Sequence, residues 1–195
     1  MEALVLDLNK RYSYADYLTW FDDVRRELID GFIKMMAGTS RFHGKVGVNI
    51  IGEMNVYLKN NRCDCELYTA PIDVLLPKNG ETDNGKIYDV VQPDIFVVCG
   101  GWKGDENAFL GAPDMIVEIL SPSNRKRDLL EKFYLYQRAG VREYWIADPK
   151  VKTITVYVMQ ENGEYDDGEV YKTDEKIPVN IFNGYMLDAN DIFDY

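Results

Sequence analysis

Histidine is nearly missing from this chain: His43 stands alone among 195 residues. That excludes a multi-histidine metal centre and leaves no second histidine for a Ser-His-Asp triad. Cysteine is scarce and odd in number, at Cys63, Cys65 and Cys99. A disulfide framework is therefore not expected, and a reducing cytoplasm is the simplest compartment. Long hydrophobic runs are absent as well. Ile95–Cys99 and the run around Glu118 are far shorter than a bilayer span requires, and no secretory pattern is expected at the start. Positive charge is in deficit: 22 Lys and Arg against 33 Asp and Glu give a net charge of −11. A general nucleic-acid binder usually presents a net basic surface, so that class is disfavoured. A nuclease is not excluded, because acids can gather at a metal while a local basic strip meets the phosphates. Arg125, Lys126 and Arg127 could form such a strip, although a solvated first turn of a helix is the plainer reading. There is no Walker-type glycine loop, so no nucleotide cofactor is expected. Nor is there a linker, repeat or low-complexity segment, and residues 1–195 read as one domain. A hydrophobic content of 46% suffices for its core.

What is present reads as alternating short elements. Ser13 with Asp16 resembles a capping box, opening a short helix with Tyr17, Leu18 and Phe21 on its apolar side. Val24–Ile29 and Phe32–Ala37 read as strands joined at Asp30–Gly31, a favoured hairpin pair. Val46, Ile50, Met54 and Tyr57 recur at helical spacing between Phe42 and Leu58. The interior glycines Gly47 and Gly52 imply close packing against a neighbour. Strands follow at Leu67–Thr69, Ile72–Leu76, Ile95–Cys99 and Met115–Leu120, separated by polar loops at Lys78–Asp89 and Gly100–Pro113. A helix over Asn124–Ala139 closes at Gly140. Strands at Glu143–Ala147 and Thr153–Val158, a turn at Glu161–Glu164 and a β-rich tail complete the chain. Strands and helices alternate only in part, which favours an α/β fold of α+β character: a mixed sheet flanked by helices.

Three residues stand out chemically. Asp94 follows Pro93 at the head of a strand, and Glu118 interrupts the apolar run Met115–Leu120. A carboxylate there costs several kcal/mol unless paired, protonated or bound to a cation. Neighbouring strands could bring both to one hard cation, which often takes one or two carboxylates plus waters. A buried salt bridge is the alternative. Lys132 is the third. Steps of ~100° per residue put it on the same arc as Leu129, Phe133, Leu135, Tyr136 and Ala139, facing the sheet. Glu131 and Arg138 fall on the other, solvated side. An inward lysine wants an anion, Asp94 or Glu118; pairing with Asp128 one turn back, or snorkelling to the sheet edge, would satisfy it more blandly. His43 could line the same site, but a capping or surface role is the expectation. Cys63, Cys65 and Cys99 could hold a soft metal, but three plain thiols are the better reading. Tyr134, Tyr136, Tyr144 and Trp145 are expected in the core.

Four stretches are recognisable together: Gln92-Pro93-Asp94 running into Ile95–Cys99; Gly111-Ala112-Pro113-Asp114 running through Met115–Leu120 to Ser121-Pro122-Ser123; Arg127-Asp128-Leu129-Leu130-Glu131-Lys132; and Tyr136-Gln137-Arg138-Ala139-Gly140-Val141-Arg142-Glu143-Tyr144-Trp145-Ile146-Ala147-Asp148-Pro149. They resemble the Uma2 family of the PD-(D/E)XK nuclease superfamily. The likeness extends from Glu27-Leu28-Ile29-Asp30-Gly31 to the segment Tyr185–Phe193. The resemblance implies a restriction-endonuclease-like fold and metal-dependent hydrolysis of phosphodiesters. Asp94, Glu118 and the backbone carbonyl of Ile119 would hold Mg²⁺ or Mn²⁺. The superfamily pattern places a lysine two residues after the second acid, where Leu120 stands here; Lys132, on the next helix, matches instead. Glu27 matches an upstream acid, and on a strand it shares its face with Ile29. Nucleic acid, DNA before RNA, is the implied partner, with no membrane. The rival is a catalytically silent member of the fold used for binding or assembly, and a homodimer goes with that reading.

Overall fold

The computed structural model describes residues 4–36, 38–121 and 127–195, without the side chains of residues 127 and 128. Residue 37, the Arg125–Lys126 strip and the expected start of a helix at residue 124 lie outside the described residues. In chain order the elements are α1 Tyr14–Tyr17, β1 Arg26–Ile29, β2 Phe32–Met35, α2 Arg41–Asn61, β3 Cys65–Thr69, β4 Asp73–Leu75, β5 Val90–Val91, β6 Ile95–Cys99, β7 Ala108–Leu110, β8 Met115–Ile119, α3 Arg127–Ala139, β9 Glu143–Asp148, β10 Thr153–Val158, β11 Glu169–Lys172, β12 Lys176–Pro178, β13 Met186–Asp188 and α4 Ala189–Ile192. A six-stranded sheet runs β11-β10-β9-β8-β6-β3, a five-stranded sheet runs β2-β1-β5-β4-β7, and β12–β13 form a small pair. Most neighbours are antiparallel, but β8–β9 and β4–β7 are parallel. The sheets are therefore mixed, as the partial alternation of elements requires.

Local chemistry accounts for the boundaries. In α1 the Ser13 hydroxyl accepts the Asp16 N–H while the Asp16 carboxylate accepts the Ser13 N–H at 2.8 Å, a reciprocal cap. Asp30 and Gly31 both adopt positive φ, 51° and 82°, the geometry a two-residue hairpin needs, and Ile29 faces Phe32 across it. The α3 helix ends where the Gly140 N–H bonds back to the carbonyls of Tyr136 and Gln137.

The central strand β8 is buried on both faces, which is why it reads as a continuous apolar run. Met115, Val117 and Ile119 pack with Val46, Ile50 and Met54 of α2. The alternate residue Ile116 packs with Leu135 and Tyr136 of α3. Strand alternation then points Glu118 to the α3 side, the side Lys132 approaches. Burial of each such large apolar side chain contributes about 1.5–3 kcal/mol. These packed layers hold the carboxylate in place. A third core, with Tyr12, Tyr14, Leu28, Ile33 and Val90, lies under the five-stranded sheet. Among the described residues no helix is long and apolar enough to cross a membrane.

Several expectations need correction. The first helix stops after one turn, so Leu18 and Phe21 are exposed rather than packed; Phe21 is 90% accessible. The loop after Gly100 contains β7, which pairs in parallel with β4. Gly47 does mark a close approach, since a Cβ there would lie 3.3 Å from Ile119 Cδ1, but nothing stands near Gly52. Tyr136, Tyr144 and Trp145 are fully buried, whereas Tyr134 is 62% exposed. The expectation of three free thiols fails: Cys65 and Cys99 form a disulfide, and Cys63 alone is free. The reason is register. Cys65 opens β3 and Cys99 closes β6, and the antiparallel ladder sets them face to face with Cα atoms 4.0 Å apart.

Candidate active site

Five elements deliver side chains to one cavity of about 100 Å³, bordered by Glu27, Asp94, Glu118, Lys132 and His43. Glu27 comes from β1, Asp94 from the residue before β6, Glu118 from β8, Lys132 from α3 and His43 from the first turns of α2. The site thus lies at the junction of the two sheets, closed by two helices.

Lys132 is its hub. Its ammonium donates to Glu118 Oε1 at 2.8 Å and to Glu27 Oε1 at 2.9 Å, with all three side chains at most 11% exposed. Of the expected anions Lys132 thus meets Glu118 and not Asp94; its second partner is Glu27. The Tyr136 hydroxyl, one turn further along α3, donates to the same Glu118 Oε1 at 2.6 Å. Glu27 Oε1 also accepts the Gln92 N–H at 2.9 Å. Asp94 is held separately. Its Oδ2 accepts the Ile119 N–H at 2.7 Å and lies 3.2 Å from His43 Nε2. His43 is therefore no surface residue, and only its backbone N–H is used in capping, by the Ser40 hydroxyl. Sequence reasoning also missed Tyr136 and Gln92 as partners of these acids. The available signal for Tyr136 was its i+4 spacing from Lys132.

Glu131 and Arg138, expected as solvated charges, are both engaged. Lys34 of β2 pairs with Glu131, and Arg138 pairs at 2.7 Å with Asp89, which is almost wholly buried. The two pairs tie α3 to the hairpin and the loop beside the cavity, and so help fix where Lys132 stands.

The electrostatics follow from burial and from like charge. Desolvation raises Glu118 to about 7, with Asp94 and Glu27 pushing the same way and Lys132 opposing. Burial alone would lower Lys132, but Glu118 and Glu27 outweigh it and hold the ammonium above its ordinary range. Desolvation, reinforced by Glu118, holds the Tyr136 phenol well above its usual value, so it acts as a donor. Three carboxylates, Glu27, Asp94 and Glu118, border the cavity together with three cationic side chains, Lys132, Lys34 and Arg25; Lys34 pairs with Glu131 and Arg25 donates to Gln92 Oε1. Among the described residues, Asp94 Oδ1 and Glu118 Oε2 receive no hydrogen bond. No group of three His, Cys, Asp or Glu side chains converges on a cation position among the described residues. A hard cation bound by two carboxylates and waters needs no such triplet, and the oxygen donors of Asp94 and Glu118 fit one.

The mixed-sheet fold that brings these side chains together has a counterpart among solved structures. A protein of Anabaena variabilis, described as a putative nuclease belonging to DUF820, shares the fold with a TM-score of 0.76 and 22% identity, over 94% of this chain and 98% of that one. An uncharacterised protein of Synechocystis sp., slr1290, is 26% identical over 158 residues, 80% of this chain and 78% of that protein. The model of the Uma2 family, described as "Putative restriction endonuclease", matches residues 14–190, and the chain belongs to that family.

Proposed function

We propose that this protein, acting as one domain, is a metal-dependent nuclease that hydrolyses phosphodiester bonds of nucleic acid, DNA in preference to RNA. The observation that carries the reading is a buried ammonium bridging two carboxylates, with a third acid 2.7 Å from the backbone N–H that follows Glu118. Asp94, Glu118 and the Ile119 carbonyl would hold Mg²⁺ or Mn²⁺, which when bound polarises a phosphate oxygen and lowers the pKa of a water. Lys132 supplies positive charge where negative charge develops on phosphorus-bound oxygen, in a water-poor setting where a fixed charge counts most. Glu27 and the Tyr136 hydroxyl keep Lys132 and Glu118 in register. The Ile119 N–H and His43 fix Asp94 through Oδ2 and leave Oδ1 toward the cavity.

A second reading is favoured by the net charge of −11: a silent fold whose Glu27–Lys132–Glu118 cluster is structural, used for assembly with a second copy of the chain. The cytoplasm was expected from unpaired thiols, a ground the Cys65–Cys99 bridge removes, so a cytoplasmic location rests on the nuclease reading alone. There the Cys65–Cys99 bridge would face a reducing thiol pool. The test is calorimetric titration of Mn²⁺ into wild type and Asp94→Ala/Glu118→Ala, followed by cleavage assays on plasmid, single-stranded DNA and RNA. Binding and cleavage by wild type alone support the nuclease. Metal binding equal in both proteins, or no cleavage of any nucleic acid, sinks it.

A further inference from the structure

A second cavity of about 480 Å³ adjoins the site, and Leu120, at the end of β8, lines both. Its other walls include Ser40, Phe42, Lys150, Lys152 and Tyr195. Phe42 and Tyr195 pack against each other with ring centroids 4.8 Å apart, and the Tyr195 hydroxyl is anchored on the Pro149 carbonyl at 2.7 Å. Each ring carries a cation: the Arg41 guanidinium lies 4.5 Å from the Phe42 centroid, and the Lys152 ammonium 4.8 Å from that of Tyr195. Lys150 is exposed on the same wall. Among the described residues none of these three cations makes an ion pair, unlike Lys132 and Lys34 at the neighbouring site. The nearby Asp148 carboxylate accepts the backbone N–H groups of Lys150 and Val151.

An aromatic face holds a cation without neutralising it, since it offers a quadrupole and no counter-charge. The result is a fixed basic shelf on a chain whose overall charge would repel a polyanion. Its place beside the catalytic cavity says which polyanion suits it. We infer that Arg41, Lys150 and Lys152 form a backbone-binding track that seats the nucleic-acid strand flanking the phosphodiester held in the site. This deepens the nuclease reading and rests on it. The track grips phosphates, so it favours length and not sequence. It also places the required positive charge locally, which reconciles a phosphate-binding role with an acidic protein.

The experiment measures binding of labelled single strands of about 16 and about 4 nucleotides, in Ca²⁺, across a salt series. Alongside it runs Mn²⁺-dependent hydrolysis of bis(p-nitrophenyl) phosphate, which is too small to reach the track. Arg41→Ala/Lys150→Ala/Lys152→Ala should weaken long-strand binding by about tenfold or more. It should also flatten the plot of log K against log salt by about 2, at ~0.7 per phosphate contact. Small-diester hydrolysis and the melting temperature should stay at wild-type values. Lys10→Ala/Lys59→Ala/Lys103→Ala removes equal charge elsewhere and should change nothing. If the triple variant misfolds, Lys150→Glu on its exposed turn carries the test. Wild-type affinity and slope in the track variant, or an equal loss in the control, overturn the track while leaving the nuclease reading standing. No binding of any strand by wild type overturns both.

Discussion

Replacing Lys132 by methionine keeps most of the side-chain volume and deletes only the charge and its donors. In the folded protein that leaves Glu27 and Glu118 facing each other without the ammonium now 2.9 and 2.8 Å from them. Both acids are buried, so water cannot take its place cheaply. Removing one partner of a buried ion pair typically costs about 3–5 kcal/mol. For a chain of this size 1 kcal/mol lowers the melting temperature by about 2–4 °C, so the expected drop is roughly 6–20 °C. Thermal unfolding followed by circular dichroism at pH 8 reads it directly. The double variant Lys132→Met/Glu118→Gln should recover part of the loss, because it removes one stranded charge. A Lys132→Met protein within about 1 kcal/mol of wild type would refute the reasoning. The ammonium would then not be what allows two acids to stay buried.

Three other outcomes follow from the same geometry. His43→Ala removes a partner of Asp94 from a half-buried position; stability should change by about 1 kcal/mol or less, while Mn²⁺ affinity falls about 10–100-fold by calorimetry. Unaltered metal affinity would show that His43 does not position Asp94. Tyr136→Phe deletes the 2.6 Å donor to Glu118; a loss of about 1.5–3 kcal/mol in urea denaturation is expected for a bond to a charged acceptor, and a change below ~0.5 kcal/mol would contradict it. Glu143 is fully buried, and desolvation raises its pKa despite donors from Trp145, Ile181 and Asn180. Between the ordinary glutamate value and that raised value the folded protein keeps a proton that the unfolded chain releases. Its contribution to stability therefore declines as pH rises through that window, by no more than about 1.4 kcal/mol per pH unit. Glu143→Gln should flatten the stability-against-pH curve there, and an unchanged slope would count against the assignment.

Legibility in the sequence tracked how local each cause was. The Ser13–Asp16 cap, the Asp30–Gly31 hairpin and the Gly140 stop depend on residues within a few positions of each other, and the structure has all three. Lys132 could be read as inward because a helical arc is also local. Its partner Glu27 is 105 residues away and could not be derived from the arc. The same holds for His43 with Asp94, set by how α2 docks on the six-stranded sheet, and for Gln92 with Glu27, set by the pairing of β1 with β5 in the five-stranded sheet. The disulfide was hidden for a related reason. Cys65 and Cys99 meet only once β3 and β6 are paired in the observed register. Strand β7, three residues held mainly by its neighbour β4, has too little pattern of its own to announce itself.

A helix-borne lysine also changes where mutation can reach the charged cluster. If lysine and glutamate shared a strand, their separation would be locked by covalent geometry, and only a backbone distortion could alter it. Here the distance from Lys132 to Glu118 is a docking coordinate, set by how α3 rests on β8 and β9 through Leu135, Tyr136, Val141 and Tyr144. Substitutions at those interior positions, far from any solvent-facing surface, can tune the alignment of the charged pair by fractions of an ångström. The mutational target for adjusting that pair is therefore a packing layer as well as a handful of polar groups. Relatives could differ in the placement of that pair while every charged residue of the cavity stays the same.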